Sequence, residues 1–366
     1  MKNAKLDKRI TELDGLRGLM TIMVVVSHYY GEVQHGWKVF MFGWVAVKMF
    51  FVLSGFLVGR LAYERHECVN FISVFYIRRL CRTIPVYMVC VLIVFLFICM
   101  FGRERWLVTT NEFPLWSYLT FTQNYLMVST NSMGWPWLAP TWTLSVEEYF
   151  YLFVPVIFLA VPVRYLIYVF SIGAFLSVAL RISIFQFGIF PYITGLVYLP
   201  SNADAIFIGM IAGIFYLTSL SKLNLYIKTI RIMPFISLSV ALIIQLFDNE
   251  HRQLFQSIGF FIISVGCSAF ILSLVMKSPE STRFNSRILC FFGDNSYSIY
   301  LTHLSVLGVI HGILFNKVPD IESWRQLLAT TAALPLSVLC GWVFTKIVEA
   351  PFTRYGRQWR WAYSNV

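Results

Sequence analysis

Arg17 and His28 lie within one apolar stretch, Leu13 to Tyr30 (LDGLRGLMTIMVVVSHYY). An ionisable group inside a bilayer is costly, so two on one spanning helix point to work. At 1.5 Å rise per residue they sit roughly 16 Å apart along the axis, about half of a hydrocarbon core. Imidazole, with an unperturbed pKa near 6.5, is the ordinary general base at neutral pH, and it can also carry a transferred group as a nucleophile. Arg79 and Arg82 stand one helical turn apart on a shared face, and guanidinium forks match phosphate geometry. Glu147 and Glu148 open a later apolar run; a buried carboxylate there needs a partner and could orient His28 or accept from a bound sugar hydroxyl. Glu148 is read as solvated. Each residue has a plainer reading. Arg17 snorkels to the surface, His28 is a satisfied interfacial residue, Arg79 and Arg82 anchor a cytoplasmic loop, and the two acids follow Thr143 or Ser145 as a helix N-terminus.

The elements that must position these groups are membrane helices. The 366 residues are 58% hydrophobic and only 13% charged, far from the roughly 25% charged residues of soluble domains. The polar, basic segment Met1 to Thr11 precedes the first apolar run with no small-residue cleavage site, so that run is expected to be retained. Apolar runs predict ten spans, near residues 15–32, 39–61, 84–101, 146–163, 165–187, 202–218, 231–247, 256–276, 293–315 and 326–348. The expected fold is an all-α polytopic bundle, one membrane domain over residues 1–366 with short tails and no appended soluble domain. Most of the 29 Lys and Arg residues fall on the amino-terminal side. Lys38, Lys48, Arg103, Arg105, Arg181, Arg252, Lys317 and Arg325 are assigned to the opposite side, and both termini are therefore expected in the cytoplasm. The net charge of +11 is absorbed by this rule and needs no nucleic-acid partner. Seven cysteines without C-x-x-C spacing argue against a disulfide framework or a metal site. The connection Gly102 to Thr143 carries Trp106, Trp116, Trp135, Trp137 and Trp142, either an aromatic belt or a platform for sugar rings.

Six motifs in order carry a family resemblance: FFVLSGFLVGR (Phe50 to Arg60), YIRRLCRTIPVY (Tyr76 to Tyr87), PTWTLSVEEYFYL (Pro140 to Leu152), NADAIFIG (Asn202 to Gly209), GDNSYSIYLTH (Gly293 to His303) and VEAPFTR (Val348 to Arg354). Together they resemble the acyltransferase 3 family of integral-membrane acyl transferases over roughly residues 10–355. The resemblance matches Arg17 and His28 to the family's Arg-x10-His, and Arg79 and Arg82 to its Arg-x-x-Arg, and of the two acids it singles out Glu147. It adds His303 as a site candidate and implies acyl coenzyme A as cytoplasmic donor. Ser54, Gly55, Asp204 and Glu349 are read as structural, with Asp204 paired to an arginine and Glu349 ending the last helix. Lys48 departs from the acidic residue many relatives carry there. His35, His66, His251 and His311 match no motif.

The expected activity is transfer of an acyl group, acetyl foremost, from acyl coenzyme A to a hydroxyl of a cell-surface glycan, glycolipid or lipo-oligosaccharide at the cell inner membrane. His28 would act as base or acyl carrier, assisted by Arg17, Glu147 and His303, with Arg79 and Arg82 holding the coenzyme and no metal involved. Two alternatives are a transporter or flippase of a lipid-linked saccharide, in which Arg17, His28 and Glu147 form a path, and a bundle that only scaffolds other enzymes. Oligomeric state is not legible.

Overall fold

The computed structural model describes residues 9–102, 104, 106–107, 111–248 and 253–363. Lys2, Lys5, Lys8, Arg103, Arg105, Arg252 and His251 lie outside them. The described residues form helices, with no β-strand beyond one isolated bridge between Gln34 and Asp320. The long helices are α1 (Thr11–Val26), α2 (Gly43–Arg65), α3 (Phe71–Phe101), α4 (Trp142–Ala160), α5 (Leu166–Phe187), α6 (Leu199–Thr218), α7 (Ile227–Phe247), α8 (Phe260–Val275), α9 (Ser296–Phe315) and α10 (Trp324–Phe344). Nine helices among the described residues are long and apolar enough to cross a membrane. The remaining expected span is α1, whose first two turns carry Glu12, Asp14 and Arg17. The bundle turns large apolar side chains outward, among them Leu96, Leu159, Phe175 and Ile243, as expected where lipid is the solvent.

The break expected at Val161 to Arg164 is real: α4 ends at Ala160 and α5 begins at Leu166. Two boundaries move. Helix α3 begins at Phe71, not near residue 84, so Arg78, Arg79 and Arg82 sit inside a 31-residue helix. The last helix does not stop at Glu349: a π turn, Thr345–Glu349, leads into a further helix, Ala350–Gln358. Both described chain ends come to the same end of the bundle. Arg9 bonds Asp294, and the amide of Val69 donates to the carbonyl of Ala362.

Helices α2 and α6 are in near-backbone contact. A Cβ on Gly55 would overlap the carbonyl of Ile206, and one on Gly209 would overlap the carbonyl of Val52. Gly59 and Gly213 repeat this contact one turn further on, so each helix presents a small-xxx-small seam suited to packing in lipid. That approach fixes the Ser54 turn of α2 against the site.

Lys48 and Arg181 are not loop charges on the outer side. Both are fully buried. Arg181 forms a two-pronged pair with Asp204, at 2.8 Å to each oxygen, and donates to the carbonyls of Ser201 and Ser257. This confirms an arginine partner for Asp204. Lys48 donates to Asn202 Oδ1 at 2.7 Å and lies 4.6 Å from the Phe260 ring centroid.

Candidate active site

The first helix changes character where it reaches the site. After Val26 the chain makes a π turn, Ser27–Gly31, closed by the Glu32 amide donating to the Ser27 carbonyl. Such turns widen the helix by one residue and recur at functional sites. This one aims His28 inward at α9, where His28 Nδ1 lies 2.7 Å from His303 Nε2.

The hydrogen bonding assigns the protons. His303 Nδ1 is 2.7 Å from the carbonyl of Tyr300, and a carbonyl only accepts, so Nδ1 of His303 carries hydrogen. In the neutral ring Nε2 must then accept, and the donor facing it is His28 Nδ1–H. His28 is left with its lone pair on Nε2, next to Glu32 Oε2 at 3.5 Å. Tyr29 locks the backbone behind this pair by donating from its hydroxyl to the His303 carbonyl at 2.8 Å. Sequence motifs brought His28 and His303 forward separately; the fold makes them one unit. Glu32 was missed, although its four-residue spacing from His28 was a signal.

Glu32 is tied down in turn. Ser27 Oγ accepts from the amide of Gly43 at 3.1 Å and donates to Glu32 Oε1 at 3.1 Å.

Glu147 does not orient His28. Its two oxygens accept from Ser54 Oγ (2.7 Å) and Tyr151 OH (2.9 Å). It is also no cap, because α4 begins at Trp142 and has no acid in its first turn. Glu148 is half-buried beside Thr83 and Arg79 instead of solvated.

Three cavities lie in series. A basic mouth of about 470 Å³ is lined by seven arginines, including Arg17, Arg79, Arg82 and Arg357, against the acids Asp14, Glu64, Asp294 and Glu349. Arg17 pairs with Asp14 at 3.0 Å, whereas Arg82 forms no ion pair among the described residues and Arg79 stacks 3.6 Å from the Tyr151 ring centroid. A waist of about 100 Å³ shares Arg17, Arg79 and Arg82 with the mouth and adds Ser54, Glu147 and Tyr300. An outer cavity of about 450 Å³ shares Val47 and Tyr300 with the waist and holds His28 and Glu32. Four tryptophans, Trp44, Trp106, Trp137 and Trp142, line it. The aromatic belt does not describe this region: Trp106, Trp135, Trp137 and Trp142 are buried, and only Trp116 of the five faces outward.

At the rim His35, Asp320 and Glu322 bring ligand atoms within 4.8 Å of one another. His35 Nδ1 is 2.9 Å from Asp320 Oδ1. That hydrogen bond holds the His35 imidazole above its usual range; burial pushes the Asp320 carboxyl up, but the His35 hydrogen bond, the backbone amides of Glu322 and Ile321 and the His35 charge together hold it below its own. The histidine part of this tether is therefore complete below about pH 6.5 and lost as pH rises through the raised His35 value; the aspartate part is present above about pH 3.9 and lost as pH falls through the depressed one. Between pH 6 and 9, rate-corrected hydrogen exchange at residues 33–36 and 318–322 should speed up, and His35→Ala should abolish that dependence. Equal protection at both pH values in the unaltered protein would refute it.

This fold and site define a multi-pass membrane protein with a basic cavity on one side of a part-buried histidine pair. The chain belongs to the acyltransferase 3 family, whose acyltransferase domain matches residues 10–346. It is 25% identical over 365 residues to the O-acetyltransferase OatA of Staphylococcus aureus (strain NCTC 8325), covering 94% of this chain and 57% of the relative. It is 24% identical over 387 residues to SACOL0978 of Staphylococcus aureus (strain COL), covering 97% of this chain and 59% of the relative. The chain thus spans less than two thirds of the curated relatives it matches. No solved structure matches it.

Proposed function

We propose that the protein is a membrane O-acetyltransferase that takes an acetyl group from acetyl coenzyme A at the basic mouth and delivers it to a glycan or glycolipid hydroxyl in the outer cavity. The observation that carries this reading is the serial arrangement of the three cavities, with Arg79, Arg82 and Arg357 among the arginines at one end and the His28 lone pair at the other. The mouth suits a phosphate-rich donor, because arginine forks bind phosphate and a low-dielectric wall strengthens the attraction. The outer cavity combines indole surface with a carboxylate, which suits a sugar with apolar faces and hydroxyl edges. On this reading both described chain ends lie in the cytoplasm of an inner membrane.

The chemistry is two proton transfers through His28 and one acyl shift. His28 Nε2 takes the hydroxyl proton of the acceptor as its oxygen attacks the thioester carbonyl. The C–S bond breaks, the ester forms, and the leaving thiolate takes up the proton from His28. While charged, His28 would present Nε2–H to Glu32 Oε2, and His303 keeps the ring from turning. Glu32 is then a positioning residue acting through His28. Glu32→Gln replaces the facing oxygen by a group able to donate to the lone pair, and should lower kcat about tenfold while leaving KM for acetyl coenzyme A unchanged. A rise in KM with kcat preserved would assign Glu32 to substrate binding instead.

The test of the whole reading is thiol release from acetyl coenzyme A by the purified protein in the presence of envelope glycolipid, with mass spectrometry of the acceptor. An acetyl-sized increment that tracks thiol release is expected. Acceptor movement across a vesicle without thiol release would replace the enzyme by a transporter.

A further inference from the structure

The waist joins the mouth to the outer cavity, and the proton route through His28 uses none of its polar wall. A donor held by its phosphates at the arginines has to send its thioester through this passage, since Arg17 and His28 stand roughly 16 Å apart along the first helix. At about 100 Å³ the waist has room for a slender chain only. In coenzyme A that chain is the pantetheine arm, which is uncharged and carries amides.

The polar lining of the waist is uneven in kind. Arg17, Arg79 and Arg82, shared with the mouth, only donate; the serine, threonine and tyrosine hydroxyls can do either; Glu147 is the one lining carboxylate among the described residues. That carboxylate is bracketed by two other lining residues. Ser54 on α2 donates to one oxygen at 2.7 Å, and Tyr151, one turn further along α4, donates to the other at 2.9 Å. All three side chains therefore meet at the wall of this cavity, where Ser54 and Glu147 are only half-buried. Arg79 lies against the Tyr151 ring, and Glu147 forms no ion pair among the described residues. A carboxylate oxygen has two lone pairs, and each here accepts one hydrogen bond from the protein, so capacity remains for a ligand.

A carboxylate at this point repels phosphate and suits an amide N–H, which is costly to take out of water without an acceptor. We propose that the waist is the channel for the donor's pantetheine arm, in which Glu147, fixed by Ser54 and Tyr151, accepts a hydrogen bond from an amide N–H of that arm. This rests on coenzyme A being the donor. It gives the passage a direction: the arginines keep the charged end in the mouth, Glu147 takes the amide, and the thioester emerges beside Tyr300, which the waist shares with the cavity that holds His28. Glu147 is then a donor-binding residue.

The experiment is calorimetry on the purified full chain in nanodiscs with two probes, coenzyme A and the phosphorylated adenosine diphosphate that forms its nucleotide end. The ratio of their affinities reports the arm alone. Glu147→Gln keeps the shape and replaces a charged acceptor by a neutral one, and should shrink that ratio about tenfold. The nucleotide end should bind as tightly as before or more tightly, because a negative charge near the arginines has gone. A ratio that Glu147→Gln leaves unchanged would overturn the inference, whether both probes bind as before or weaken together. So would an unaltered protein that binds coenzyme A no better than its nucleotide end. An unaltered protein that binds neither probe would bring down the donor reading itself. If Glu147→Gln fails to fold, coenzyme A analogues with an ester oxygen in place of one or the other amide N–H are titrated into the unaltered protein. One of them should bind about tenfold more weakly than coenzyme A; both binding as tightly as coenzyme A would overturn the assignment.

Discussion

Replacing His28 by Ala should lower the rate of acetyl transfer by a factor of about 10² to 10⁴, the range spanned by general-base catalysis. The loss should fall on kcat, because the basic mouth, which His28 does not line, is expected to hold acetyl coenzyme A as before. His303→Ala should cost less. It removes the acceptor that fixes His28 Nδ1–H, so the ring can turn or change tautomer, but it leaves an imidazole in the cavity. The check is initial thiol release from acetyl coenzyme A with envelope glycolipid present, for the unaltered protein and both variants at matched amounts. A His28→Ala protein with full activity would remove His28 from the chemistry and with it the proton route through Nε2. If His303→Ala proved the more damaging of the two, the roles within the pair would have to be exchanged, with His303 as base and His28 as its support.

What the sequence made legible was chemistry on regular helices. Arg17 and His28 declared themselves by being ionisable in an apolar run, and the motif around His303 placed a second imidazole at the right depth. The contact between them could not be read, since it depends on how α1 and α9 face each other. Glu32 was hidden for a related reason. It is the last residue of an expected span, where a polar residue looks like a boundary, and the π turn that swings it toward His28 leaves no mark in hydropathy. Lys48 and Arg181 were misplaced because charge counting assumes that a lysine or arginine near the end of an apolar run belongs to a loop. Both are paired in the interior, and Arg181 is matched by a carboxylate on a neighbouring helix that no local pattern links to it. Removing these two from the outer side sharpens the asymmetry of the remaining charges. Glu147 failed differently. Its type and position were right for a buried acid, but its oxygens are already used by Ser54 and Tyr151, so it holds the waist together and does not reach His28.

The largest effect on stability is expected at Asp204. Replacing it by Ala leaves the Arg181 guanidinium fully buried with only the carbonyls of Ser201 and Ser257 as partners. Removing one member of a buried ion pair typically costs about 3–5 kcal/mol, because the other charge stays desolvated without compensation. The consequence should spread, since Asp204 also lies in the field of Lys48, about two turns of α2 before Gly55 in the glycine seam that locks α2 to α6. A loosened α6 would free the Ser54 turn of α2 and with it the waist. Asp204→Ala should therefore lower the unfolding midpoint in detergent and reduce acetyl transfer together. Restoring electrical balance by the double change Asp204→Leu with Arg181→Met should recover most of the stability, because well-packed apolar residues of similar volume replace a buried pair at little cost. A single Asp204→Ala protein as stable as the unaltered one would show that water reaches Arg181 and that the pair is not the fixed point on which α5 and α6 close.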